Sequence, residues 1–240
     1  MTRLSIVVPA YNEAALLPSC LKSARDAAAA CGLTDWELIV CDNASSDETA
    51  GLAAAGGAKV VFEPVRRIAR SRNAGAAAAA GEWLLFIDAD SLLSPESLRA
   101  VLAAVEGGRV VGGGSLIDFD RKPWWGAAAL ALWSGLSVTM RWAAGSFVFC
   151  RADAFREVGG FPPELASAEE IGLAMALKRW GAARGLGFTI LTASRHVSSG
   201  RKFYIYTPRE WLGVLWAIAK APRRGIRDNA VNRHLYDGRR

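Results

Sequence analysis

The sequence predicts an α/β chain built on a mixed, mostly parallel sheet flanked by helices. Short β-branched or aromatic runs recur at residues 4–8, 37–40, 59–62 and 83–87, and each is separated from the next by a helix-like stretch of ten or more residues. That alternation is the rhythm of βαβ units. The length is sufficient as well: 240 residues, 52% apolar and 22% charged, can bury an ordinary core. A disordered tail, a collagen-like fibre and a disulfide-stapled mini-protein are thereby excluded.

Taken in order, the first run leads into an Ala- and Leu-rich helix over residues 13–30. After the second run, Ser46 is placed to cap a helix over 47–55. A third helix over 66–80 ends at Gly81, a residue suited to a C-terminal stop. Ser94-Pro95-Glu96 opens a fourth through a cap and a first-turn proline. Past Val105 the rhythm changes to a Gly-rich strand over 109–118, an uncharged stretch over 124–140, a strand over 146–150, a helix over about 168–180 and a last strand before His196. The organisation read from this is one domain over 1–203, with halves 1–105 and 106–203, followed by a basic helix or tail over 204–240.

Charge is unevenly distributed. The net value is +6, yet residues 195–240 hold 11 Lys and Arg against 3 Asp and Glu. Anionic lipid headgroups, phosphorylated substrates and nucleic acid all match that sign, as does a merely solvated tail. The 17 uncharged residues 124–140 fall short of the roughly 20 needed to span a bilayer, and Gly126, Ser134, Gly135, Ser137 and Thr139 dilute them. Partial burial, or an interfacial segment with Trp124, Trp125 and Trp133 at headgroup depth, are the other readings. Residues 211–219, beside Lys220, Arg223, Arg224 and Arg227, fit either a membrane surface or a core helix. The four cysteines form no CxxC pair, and Cys20 and Cys31 would sit roughly 16 Å apart along a helix. With no signal-like N-terminal run, the expectation is a reduced, cytoplasmic chain.

In a parallel sheet the C-terminal strand ends gather on one edge, and ligands bind in the crevice outside it. Pro9-Ala10-Tyr11-Asn12, Asp42-Asn43 and Asp88-Ala89-Asp90 all fall there. Asp88 and Asp90, at i and i+2, share one face of an extended backbone. Their repulsion calls for a cation, and hard Mg²⁺ or Mn²⁺ with a diphosphate is one answer; capping the turn before Ser94 is another. Asp42 could accept N–H groups from a nucleobase or simply close its own turn. Arg66, Arg67, Arg70 and Arg72 could clamp phosphate, with Arg66 and Arg70 on one side of a helix, or could be solvated.

Together these residues resemble a family 2 glycosyltransferase of the GT-A fold over most of residues 3–203. The pieces that match are Ser5-Ile-Val-Val-Pro-Ala-Tyr-Asn-Glu13, Asp42-Asn-Ala-Ser-Ser-Asp47, Ala69-Arg-Ser-Arg-Asn-Ala-Gly75, Asp88-Ala-Asp90 and Glu169-Glu170 before Leu173 and Gly181. The resemblance implies a metal-dependent, inverting transfer from a UDP- or GDP-type nucleotide-diphospho-sugar to an acceptor hydroxyl, with no nucleic acid involved. It assigns Pro9, Ala10, Tyr11, Glu13, Asp42 and Arg67 to the nucleotide, Asp88 and Ala89 to the sugar side, and Asp90 to Mn²⁺ or Mg²⁺. Gly145 and Ser146 would lie beside the reacting centre. Where the family has Glu-Asp this chain has Glu169-Glu170, so Glu170 inherits the base by position and Glu169 is the fallback. Ser167-Ala-Glu-Glu170 also has the form of a capping box. His196 would be a third metal ligand or a polar surface residue, and residues 198–202 a basic lid over the diphosphate. The Trp-rich stretch and basic C-terminus suggest a membrane-associated or lipid-linked acceptor.

Two readings from other classes stand beside this one. A non-catalytic nucleotide-sugar-binding protein would keep the fold without the base. A haloacid-dehalogenase-type phosphotransferase would use Asp88-Ala-Asp90-Ser91, although three strands precede that motif here. No GxGxxG follows the first strand and no Walker A sequence occurs, which disfavours dinucleotide oxidoreductases and nucleotide kinases.

Overall fold

The computed structural model describes residues 3–143, 145–165 and 169–205. Its strands are β1 Leu4–Ala10, β2 Trp36–Asp42, β3 Lys59–Phe62, β4 Trp83–Ile87, β5 Ser91–Leu92, β6 Val110–Phe119, β7 Phe147–Arg151 and β8 Gly187–Ser198. The helices are α1 Leu17–Ala30, α2 Thr49–Ala55, α3 Ile68–Ala77, α4 Pro95–Glu106, α5 Trp124–Met140, α6 Ala152–Glu157, α7 Glu169–Ala182 and α8 Lys202–Ile205. All eight strands join one sheet in the order β3-β2-β1-β4-β7-β6-β8-β5. Strands β3, β2, β1 and β4 run parallel, and β7 is antiparallel to both of its neighbours. The order reverses at β1, so the crevice of the sheet opens at the C-terminal ends of β1, β2 and β4.

The period-2 alternation of the strands divides the core between two helical layers. Leu4, Ile6 and Val8 of β1 and Leu85 and Ile87 of β4 pack with α1 and α4. Their neighbours Val7, Leu84 and Phe86 pack with α3, α6 and α7 on the other face. Strand β6 can pass tightly between β7 and β8 because it carries three successive glycines. A Cβ on Gly113 would meet the Thr189 carbonyl oxygen at 2.3 Å, and one on Gly112 the Phe149 oxygen at 2.4 Å.

Several helix boundaries differ from the sequence expectation, each for a tertiary reason. Helix α1 starts at Leu17 because the chain at Glu13 is tied elsewhere: the Glu13 N–H donates to Thr49 Oγ1 at 2.8 Å. Ser46 does not cap α2, since its N–H donates to Asn12 Oδ1 at 2.7 Å; Asp47 Oδ1 instead accepts from the Thr49 N–H. Helix α3 starts at Ile68 and ends at Ala77, with Ala78 rather than Gly81 as its C-terminal stop; the Gly81 N–H donates to Ser5 Oγ. Helix α4 opens as expected, with Ser94 Oγ accepting from the Ser97 N–H at 3.1 Å.

The uncharged stretch is helix α5, and no helix among the described residues is long and apolar enough to cross a membrane. His196 does not follow the last strand as a surface residue; it lies within β8 opposite Ile117, fully buried. The four cysteines are free. Ser167, and with it the capping-box reading, lies outside the described residues, as do residues 211–219 and nearly all of the basic C-terminal segment.

Candidate active site

Two loops build one side of the crevice, and each holds the other. After β1, Asn12 adopts φ 50°, and after β2, Ala44 adopts φ 61°. Asn12 N–H donates to Ser45 Oγ at 2.9 Å while its Oδ1 accepts from Ser46. Asn43 Nδ2 donates to the carbonyls of Glu63 and Val65, fixing the chain that leads to α3. Pro9 and Ala10 end β1 in register with Cys41 and Asp42, and Asp42 is buried with Oδ1 accepting from the Ser45 N–H at 3.3 Å. Tyr11 lies beneath Arg66, whose Cζ is 4.8 Å from the ring centroid.

The arginine cluster does not act as one clamp. Because α3 begins at Ile68, Arg66 and Arg67 precede it, and Arg67 is its N-cap residue in an extended conformation. Arg70 pairs with Glu63 at 3.1 Å. Arg72 turns inward and is fully buried. Its Nη1 donates to Glu169 Oε1 at 2.8 Å, and its Nη2 donates to Asp88 Oδ1 at 3.0 Å and to the Gly145 carbonyl at 2.8 Å. The guanidinium also faces the Phe161 ring at 5.1 Å. Burial opposes its charge, but Asp88, Glu169 and Glu170 outweigh that and raise its pKa. Nothing in the sequence singled out Arg72 among its neighbours; its position one turn into a helix behind the carboxylate edge was the available signal.

This arginine separates the two adjacent glutamates. Glu169 is buried and spent on the ion pair, whereas Glu170 remains partly exposed against Gly145. A Cβ on Gly145 would meet Glu170 Cδ and Oε1 at 3.3 Å, so a larger residue there would press the carboxylate aside by a few tenths of an ångström. Burial, and then the Glu169 charge, push the Glu170 carboxyl well above the ordinary carboxylate range, with Arg72 opposing. Burial and the neighbouring carboxylates thus raise the proton affinity of the Glu170 carboxylate. Ser146 follows Gly145 at the mouth of β7.

On the other side of Asp88, Ala89 is buried and Asp90 meets the chain leaving β8. Arg201 Nη2 lies 2.5 Å from Glu13 Oε1 and 3.3 Å from Asp90 Oδ2. Ser198 Oγ donates to Asp90 Oδ1, and the Ser199 N–H to the Asp90 carbonyl. Residues 198–202 are thus drawn down onto the acidic edge. His196, its ring tilted against Phe147 with centroids 4.8 Å apart, has both ring nitrogens buried without a hydrogen-bond partner, and burial pushes its pKa down to about 4. Among the described residues no three His, Cys, Asp or Glu side chains converge as a metal cage. Of the two residues assigned to the ion, Asp90 already attracts a cation in Arg201, whereas His196 is fully buried within β8.

Comparisons with known proteins agree with this architecture. A validoxylamine A glucosyltransferase of Streptomyces hygroscopicus subsp. jinggangensis is 38% identical over 111 residues, covering 43% of this chain and 26% of its own length. A PGL/p-HBAD biosynthesis glycosyltransferase of Mycobacterium bovis is 36% identical over 114 residues, covering 42% and 41%. The chain therefore spans well under half the length of these curated relatives. Among solved structures, a mannosyltransferase of Pyrobaculum calidifontis in complex with GDP-Man and Mn²⁺ superposes with TM-score 0.69 at 20% identity, over 98% of this chain and 70% of that one. Glucosyl-3-phosphoglycerate synthase of Mycobacterium tuberculosis, with Mn²⁺, UDP and glucosyl-3-phosphoglycerate, gives 0.62 at 22%, over 89% and 76%. The fold is that of GT-A glycosyltransferases. The family model described as "Glycosyl transferase family 2" matches residues 5–157, strands β1 to β4 and β7 included, and the chain belongs to that family.

Proposed function

We propose that this chain is a metal-dependent, inverting glycosyltransferase that moves a sugar from a UDP- or GDP-type nucleotide-diphospho-sugar to an acceptor hydroxyl. The observation that carries this reading is the Arg72 hub, which sequesters Glu169 and leaves Glu170 at the crevice with a raised pKa beside Asp88. In the donor half, 1–105, Pro9, Ala10, Tyr11, Asp42 and Arg67 bind the nucleoside. Glu13 lines the same nucleotide pocket, and Asp88 and Ala89 lie on the sugar side.

Glu170 accepts the proton of the acceptor hydroxyl, in a half, 106–203, where Gly145 and Ser146 border the same space. The acceptor oxygen bonds to the anomeric carbon as the bond to the diphosphate breaks on the opposite face, which inverts the centre. Asp90, with His196, would hold a divalent ion, whose chemistry there would be to neutralise charge on the departing diphosphate. Arg201, now paired with Glu13 and Asp90, is the basic group of the lid and excludes water from the donor. The ligands of the solved GT-A neighbours, GDP-Man or UDP with Mn²⁺, support the donor class. A membrane-associated or lipid-linked acceptor is supported by the uncharged α5 and the basic C-terminal fifth.

The test is calorimetric titration with UDP, GDP and dTDP, each with Mn²⁺ and with EDTA, on the wild type and on Asp90→Ala. Metal-dependent binding of one nucleotide, lost in the variant, is the expected result. Binding of none would overturn the reading.

A further inference from the structure

Helix α5 wears its polarity inside out. Its buried residues are Gly126, Leu130 and Ser137, whereas the ridge Trp124, Ala128, Leu132, Leu136 and Met140, spaced every four residues, points to solvent. Trp124 is 84% exposed and Leu132 69%. A helix that only covered a core would present the reverse pattern.

The two ends of this ridge differ: ahead of it Asp118 and Asp120 balance Arg121 and Lys122, whereas its C-terminal end is cationic. Arg121 precedes it, 5.5 Å from the Tyr204 ring, and Arg141 follows it in a left-handed conformation at φ 51°. Lys178 of α7 reaches the same end and donates to the Met140 carbonyl at 2.7 Å. Among the described residues no carboxylate pairs with Arg121, Arg141 or Lys178, whereas Lys122 is satisfied by Asp118. Beneath Arg141 lies a cavity of about 400 Å³, lined by Val138, Phe188 and Ile190 among others. A second copy of the chain packed on this ridge in parallel would set cation against cation at that end. A bilayer whose headgroups carry negative charge satisfies the cationic end and the apolar ridge that leads to it.

We propose that α5 is an interfacial membrane anchor: the Trp124–Met140 ridge lies in the headgroup region of an anionic phospholipid bilayer, with Arg141 and Lys178 on lipid phosphates. This deepens the proposed membrane-associated acceptor by naming the surface and the lipid class, and it rests on that reading only for its purpose. Binding is measured with neither nucleotide nor transfer, so the two fail separately.

The experiment is flotation of the full chain with vesicles of phosphatidylcholine alone or with 30% phosphatidylglycerol, at low and high salt, for wild type, Leu132→Glu/Leu136→Glu and the milder Leu132→Ser/Leu136→Ser. Expected is flotation with the anionic vesicles, weakened by salt and reduced at least tenfold in both double variants, with their thermal unfolding unchanged. Three results would overturn the proposal. One is no flotation of the wild type on anionic vesicles at low salt. Another is undiminished flotation of both variants, which would assign binding to the basic C-terminal segment. The third is a wild-type dimer without vesicle binding that either variant converts to a monomer, which would make the ridge a contact between copies.

Discussion

Residue by residue, the site is a problem of charge balance around Arg72. Its guanidinium, 2% exposed at the side chain, bridges Asp88 and Glu169. Removing one partner of a buried pair leaves uncompensated charge, so Arg72→Met costs about 3–5 kcal/mol in urea unfolding at pH 7. A loss near zero would mean the cluster is solvated. Glu170 makes a prediction of opposite sign. Its folded pKa is raised by burial and by Glu169, so its contribution to stability is complete below the ordinary glutamate value and is lost as pH rises through the raised one. Glu170→Gln therefore unfolds at higher temperature than the wild type at pH 8, and the gap closes toward pH 4. The same variant loses roughly 10²- to 10⁴-fold in transfer rate with nucleotide affinity unchanged, and the acid limb of wild-type kcat/KM lies above the ordinary carboxylate range. A limb within that range would remove Glu170 as the base. The sequence showed Glu169-Glu170 as an undivided pair because the residue that divides them is 97 positions away.

At the level of elements, strand existence was legible and the starts of the first three helices were not. Runs such as Trp83–Ile87 declare themselves through composition, and β1 to β4 lie where the sequence put them. Helices α1 and α2 begin late because Asn12, Glu13, Ser45, Ser46 and Thr49 bond across two loops, a tertiary event with no local signature. Strand β8 was misread at its end for a similar reason: a register shift, from Ser115 opposite Leu191 to Leu116 opposite Arg195, carries His196 back into the sheet. The chain beyond that shift supplies Arg201, which sits on Glu13 and Asp90 as an internal cation. Burial opposes its charge and Glu13 and then Asp90 reinforce it. A dication at this edge must displace that guanidinium, so Arg201→Ala tightens Mn²⁺ binding measured without nucleotide, by about tenfold for each 1.4 kcal/mol of competition removed, and weakens binding of the nucleoside diphosphate. Equal Mn²⁺ affinity in both proteins would show that the arginine and the ion do not compete.

For the molecule as a whole, the crevice is closed by contacts of extreme sequence separation. Glu13 and Arg201, 188 residues apart, meet at the same edge that Asp42, Arg72 and Asp88 approach from three other segments. A ligand bridging these segments stabilises the sheet between them, because it binds the assembled crevice and not the unfolded chain. At 100 times its Kd a nucleoside diphosphate with Mn²⁺ adds about 2.7 kcal/mol. For a domain of this size that corresponds to roughly 5–10 °C in Tm. The expected result in a thermal scan is a shift of the main transition by that amount, absent with EDTA and absent in Asp90→Ala. The α5 double variants, whose substitutions lie on an outward ridge away from the crevice, should show the full shift. A ligand that left the main transition in place would mean the loops after β1 and β2 unfold separately from the core, contrary to the ties that join them to each other and to the chain after β3.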